Sequence, residues 1–164
     1  MASGDTLLEF GPYSNEPPLT NFATLDTRNQ RPCLDFDAAI FEHAYFSAVM
    51  PRHYAGTTGV TVYLHYAMSS AVADTVDWDV AFERIGDQQL DIDADSFAAV
   101  NSVDNTTVPG TSGLVDIVSI NFTDGADMDS VAVGEKFRLK VTRDAASDDA
   151  TGDAELYAVE LVES

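Results

Sequence analysis

In VDWDVAFER, residues 76–84, Asp77 and Asp79 stand two apart. A strand there holds both carboxylates on one face roughly 7 Å apart, a separation that acid hydrolysis of a glycosidic bond can use. That chemistry needs one carboxyl on each side of the scissile bond, and one of the two in an apolar pocket that raises its pKa. Neighbours on the solvated face of a half-buried strand supply neither, so no catalytic residue is assigned and the chain reads as a non-enzyme.

DIDADS, residues 91–96, places Asp91, Asp93 and Asp95 at the first, third and fifth positions of a calcium loop. The sixth position is Ser96 where the sharp turn needs Gly, and the twelfth is Ser102, which cannot ligate through two carboxylate oxygens. The helix-loop-helix site is excluded, leaving open a looser calcium site here or among Asp124, Asp127 and Asp129. His43, His53 and His65 lack the spacing of a metal pair on one element, and one cysteine makes no thiolate cluster. No GxSxG turn, phosphate-cradling glycine loop or dinucleotide motif is present, so no cofactor and no metal are assigned.

The remaining chemistry is that of surfaces. In VTVYLHYAM, residues 60–68, alternation puts Val60, Val62, Leu64, Tyr66 and Met68 on a core face and Thr61, Tyr63, His65 and Ala67 on the other. A neutral, partly aromatic strip in a chain dense with Asp has the character of a protein contact. Tyr63 and His65 are therefore expected at a subunit interface, with cover by the N-terminal arm as the alternative. Phe10 and Tyr13 are expected to anchor that arm on an apolar surface, and are grouped with Tyr63 and His65 as candidate subunit-interface residues. Tyr63, Tyr13 and Tyr54 could instead stack on sugar rings, while Trp78, aligned with Val76, Val80 and Phe82, is expected in the core.

Such residues need a scaffold of strands. The 164 residues suffice for one domain, which buries roughly 70% of the surface its unfolded form exposes. The net charge of −20, with 28 acidic against 8 basic residues, leaves no basic stripe for phosphates and argues against nucleic-acid binding. Cys33 is alone, so no disulfide forms within the chain, and it suits a small buried apolar position. The opening MASGDTLLEFGPYSNEPP has neither a basic n-region nor a long apolar run, so a soluble product made in a cytoplasm, with no membrane partner, is expected.

Residues 1–20 carry Pro12, Pro17, Pro18, Gly4 and Gly11 and read as an extended arm. Over 21–164, β-like runs recur at 22–26, 32–36, 43–49, 60–69, 76–85, 98–107, 114–123, 136–143 and 154–162. Their spacing, and the lack of a sustained 3.6-residue period, predict an all-β, antiparallel two-sheet β-sandwich of jelly-roll type. Asp77, Asp79 and Glu83 are expected on a wet outer face, as are Arg138, Lys140 and Thr142 of FRLKVTR.

Taken in order, NFATLDTRNQRPCLDFDAAIFEHAYFSAVMPRHY, VTVYLHYAMSS, VDWDVAFERIGD, DMDSVAVGEKFRLKVTRD and GDAELYAVELVE resemble acidic jelly-roll proteins of tailed bacteriophages. The resemblance implies a virion structural protein, above all a capsid decoration or cement protein. Such a protein would be made in the host cytoplasm and sit on the outer capsid surface as a homotrimer bound to the major capsid protein. It carries no catalytic residues. The alternative is a carbohydrate-binding module or a tail-associated receptor-binding adhesin.

Overall fold

Ten strands build the computed structural model, which describes residues 4–71 and 73–164. They are β1 (Thr6–Phe10), β2 (Thr24–Arg28), β3 (Arg31–Phe36), β4 (Glu42–Val49), β5 (Val60–Met68), β6 (Thr75–Ile85), β7 (Asn101–Thr107), β8 (Val115–Phe122), β9 (Lys136–Arg143) and β10 (Ala154–Glu163). A six-stranded sheet runs β2-β3-β10-β5-β8, with β1 also on β10, and a four-stranded sheet runs β4-β9-β6-β7. Every strand pairing is antiparallel. The fold is the expected jelly-roll β-sandwich.

Period-two alternation sets which side chains meet between the layers. Leu34, Phe36, Val62, Leu64, Tyr66, Ile120, Phe122, Leu156, Val159 and Leu161 face inward from the larger sheet. Ala44, Phe46, Val76, Trp78, Val80, Phe82, Phe137, Leu139 and Val141 do so from the smaller. Trp78 is wholly buried, as expected, with the rings of Phe36 and Tyr66 edge-on to it at 5.1 and 5.3 Å. Phe82 meets Phe122 across the layers at 4.9 Å. One such buried ring contributes up to about 5 kcal/mol against an extended-chain reference. Gly59 leads into β5 with φ +88°, and a Cβ there would lie 2.1 Å from the Phe122 carbonyl oxygen, so that crossing requires glycine.

The arm is partly a strand. Residues 1–3 of the span 1–20 lie outside the described residues, and Thr6–Phe10 pairs with β10. Phe10, expected to anchor the arm and grouped with the subunit interface, anchors it inside the fold: it is 6% exposed and packs at 5.4 Å on Phe46, a bulge between Thr6 and Leu8 letting both Leu7 and Phe10 face the core. The chain then follows the free edge of β4. Glu16 N–H donates to the Tyr45 carbonyl, Ala23 N–H to the His43 carbonyl, and His43 N–H to the Asn21 carbonyl. This caps an edge that would otherwise invite pairing with another chain.

Candidate functional site

The outer face of the four-stranded sheet carries most of the chemistry. Cross-strand register sets His43, Thr142, Asp79 and Ser102 in one row, Tyr45, Lys140 and Ala81 in the next, and Ser47, Arg138 and Glu83 in a third. Residues 86–100, between β6 and β7, fold back over the third row. Ser96 N–H donates to Glu83 Oε1, Arg138 donates to both Glu83 and Asp95, and Ala98 N–H donates to the Phe82 carbonyl at 2.8 Å. The wet face expected for Asp77, Glu83 and Thr142 is corrected accordingly: Thr142 is 2% exposed, its hydroxyl engaged by His43. Glu83 has no exposed surface because this segment covers it, and Asp77 is only 5% exposed beside the bulged β7, where Asn105 N–H donates to its Oδ1.

The covering segment delivers Phe97. Its ring lies 5.5 Å from that of Tyr45, with the Arg138 guanidinium 5.1 Å and the Lys140 ammonium 4.7 Å from its centroid. These cation–π contacts hold the ring in place. From Tyr45 the row continues to His43 at 6.3 Å and on to Phe41 at 5.1 Å. Phe41 is 40% exposed, and the other three rings are half-buried. Successive outward positions on β4 and the residue just before it thus form a ladder of rings, closed by one from a loop.

Beside the ladder, Asp77, Asp79, Val100, Ser102, Asp104, Asn105, Asp144 and Ser147 line an open depression of about 500 Å³. Burial pushes the carboxyls of Asp77 and Asp79 up, against the hydrogen bonds from Asn105 N–H and the Ser102 hydroxyl that favour their charged forms. Burial and then the Lys140 charge push His43 down, keeping its imidazole neutral at pH 7, and its Nδ1 lies 2.7 Å from Thr142 Oγ1. Burial also raises Tyr45, which stays a neutral phenol. Asp104 of β7 and Asp144 just after β9 line the same depression, which thus gathers four carboxylates beside the ladder.

The other expected residues lie elsewhere. Tyr63 and His65 are half-buried on the outer face of the six-stranded sheet, where His65 Nε2 is 3.7 Å from Glu160 Oε2. Tyr13 is 76% exposed and lines an apolar cleft with Pro12, Pro17, Phe22 and Leu25. Tyr54 is buried and donates to Asp124 Oδ1 at 3.0 Å, so no ring face is free for stacking. Cys33 is buried, its thiol pushed up to about 11 by burial and the nearby Glu155, Asp26 and Asp35.

Aspartates of the loops left open for calcium are engaged internally. Asp91 accepts from Asp93 N–H, Asp95 from Arg138, Asp127 from Thr123 and Asp129 from Arg84 N–H. Among the described residues no three His, Cys, Asp or Glu side chains converge as a metal site.

No family model matches the sequence, and neither does any curated protein. Solved structures do match by shape. A family 35 carbohydrate-binding module from an environmental isolate aligns with a TM-score of 0.57 at 11% identity, over 94% of this chain and 92% of that one. A xylan-binding module, CBM15, aligns at 0.53 and 8% identity over 98% of both chains. The insecticidal delta-endotoxin Cry8Ea1 of Bacillus thuringiensis aligns at 0.53 and 11% identity over 99% of this chain but only 25% of the toxin. At these identities the likeness is one of fold, and it extends to whole modules as well as to a part of a larger toxin.

Proposed function

We propose that the chain is a non-catalytic carbohydrate-binding module that holds a glycan across the outer face of the four-stranded sheet. One observation carries the reading: the ladder Phe41–His43–Tyr45–Phe97 runs alongside hydrogen-bonding groups of Asp79, Ser102 and Lys140. A sugar ring has C–H groups on its faces and hydroxyls around its rim. The faces suit the electron-rich side of an aromatic ring, and the hydroxyls suit carboxylate, ammonium and hydroxyl partners fixed beside it. Two of the similar folds are carbohydrate-binding modules over nearly their whole length, one of them described as xylan-binding, which supports this reading. The capsid-decoration role implied by the sequence resemblance draws no such support.

The test is titration calorimetry of the protein against soluble xylan, mannan and β-glucan. Phe97→Ala or Tyr45→Ala should weaken binding roughly 2- to 13-fold each, from ~0.5–1.5 kcal/mol per aromatic contact. Tyr63→Ala, on the opposite sheet, should leave it unchanged. No heat with any of the glycans, or equal losses in all three variants, would reject the assignment.

A further inference from the structure

Asp77 and Asp79 on β6, Asp104 on β7 and Asp144 just after β9 line one open depression of about 500 Å³. Among the described residues no Lys or Arg forms an ion pair with any of the four. Hydroxyls of a neutral sugar need a few acceptors, and each further carboxylate adds repulsion on the others.

Asp77 makes the lack of a partner specific. It is 5% exposed and accepts the Asn105 N–H on Oδ1, while no group among the described residues donates to Oδ2. A charge this buried is normally paired, and the missing partner can enter only from the depression that Asp77 lines. Burial foremost, with the charges of Asp104, Asp148 and Asp144 behind it, pushes this carboxyl up, so a positive group placed there relieves a standing cost. A bare metal ion does not suit the site, because among the described residues no three carboxylates converge on one point. Acceptors spread over the depression suit a cation carried on a larger molecule.

The ladder gives such a molecule a seat. β9 lies between β4 and β6, and Asp144 N–H donates to the Asp77 carbonyl at 3.1 Å, so Asp144 stands between Asp77 and the Phe41 end of the ladder. In the next row only Thr142, 2% exposed, separates His43 from Asp79. Two strand spacings put Asp79 about 10 Å from His43, and a sugar ring on His43 or Phe41 holds its substituents at the rim of the depression. The cations of this face, Arg138 and Lys140, lie at the other end, against Tyr45 and Phe97.

Resting on the glycan reading above, we propose that the site selects glycans built of amino sugars, a ring lying on Phe41 and His43 and its ammonium donating to Asp77 Oδ2 beside Asp79 and Asp104. An ammonium donates three hydrogen bonds and accepts none, so it uses these acceptors and needs no donor in return. The same carboxylates repel uronic acids, which sets the class apart from acidic glycans.

Titration calorimetry at about pH 6, where an amine keeps its proton, tests this with β-1,4-linked oligomers of glucosamine, N-acetylglucosamine and glucose of equal length, which differ only in the group on C2. The glucosamine oligomer should bind about tenfold more tightly than the glucose oligomer. Asp77→Asn with Asp79→Asn, which keeps both acceptor oxygens, should abolish that preference, and Asp104→Asn, at an exposed position, should reduce it. Glu9→Gln with Glu160→Gln removes the same charge from the other sheet and should leave it intact. Equal affinity for the three sugars would overturn the amino-sugar assignment and leave the glycan reading standing. A preference that survives Asp77→Asn with Asp79→Asn, or falls as far with Glu9→Gln and Glu160→Gln, would mean general attraction to an acidic protein and would overturn it too. Binding of none of the three would remove the glycan reading along with it.

Discussion

Arg138 lies across the boundary between sheet and loop, donating through Nε to Glu83, whose side chain has no exposed surface, and covering the ring of Phe97 from 5.1 Å. One guanidinium thereby anchors residues 86–100 and sets the last ring of the ladder.

Glu83→Gln should break that anchor. Removing one member of a buried pair costs ~3–5 kcal/mol, and because Arg138 keeps 22% exposure and its contact with Asp95, the lower end is expected, about 3 kcal/mol by urea unfolding. Phe97 should loosen with the loop, so glycan affinity falls together with stability. Affinity retained at full strength in a destabilised protein would separate Phe97 from the site.

Arg143 holds the other flank. Its side chain and that of Asp148 are 0% and 1% exposed and meet at 2.7 Å, and its NH groups also donate to the carbonyls of Phe36, Ala150 and Gly152. Lysine offers neither the fork geometry nor the number of donors. Arg143→Lys should cost roughly 3 kcal/mol, lowering Tm by roughly 6–12 °C on a scan of the melting curve. A shift of only a degree or two would mean that the loop 144–153 is held by other contacts.

Stability should also depend on Asp35. Burial, and then the charges of Asp153, Glu155, Asp26 and Glu42, raise its carboxyl to about 6 in the folded chain from an ordinary 3.8, and its Oδ1 is buried without a hydrogen-bond partner. The folded form therefore holds a proton that the unfolded form releases. This group is neutral in its effect below about pH 4 and destabilises the fold increasingly as pH rises from about 4 to 6, with the full cost present above 6. Asp35→Asn should be more stable than wild type at pH 7, by about 1–3 kcal/mol, with the advantage vanishing near pH 4 in urea unfolding curves. An advantage of the same size at both pH values would point to packing instead of charge.

The strands were legible where alternation or turn residues mark them. The nine runs read between residues 22 and 162 correspond to β2 to β10, most bounds differing by one to three residues. β1 was hidden because Gly4, Gly11 and Pro12 dominate its surroundings, and its partner β10 lies some 150 residues away. The burial of Glu83 and Asp77 was not readable from VDWDVAFER, whose pattern is that of a half-wet strand, since the cover comes from residues 86–100 and the β7 bulge. Phe41, His43 and Tyr45 alternate visibly in FEHAY, but a ladder of rings requires Phe97, and only the fold brings it there. Tyr63 and His65 were placed on an outer face correctly; Phe10 was read as an apolar anchor of the arm, but its place in the core was hidden along with the strand that turns it inward.

The most direct test of the central claim is a map of backbone amide shifts on titrating the labelled protein with xylan and mannan oligosaccharides. Binding on the four-stranded sheet predicts saturable shifts concentrated at Phe41–Tyr45, Asp79, Phe97, Ser102 and Lys140. Saturable shifts confined to Tyr63, His65 and Ile117, or none with any of the sugars, would contradict it.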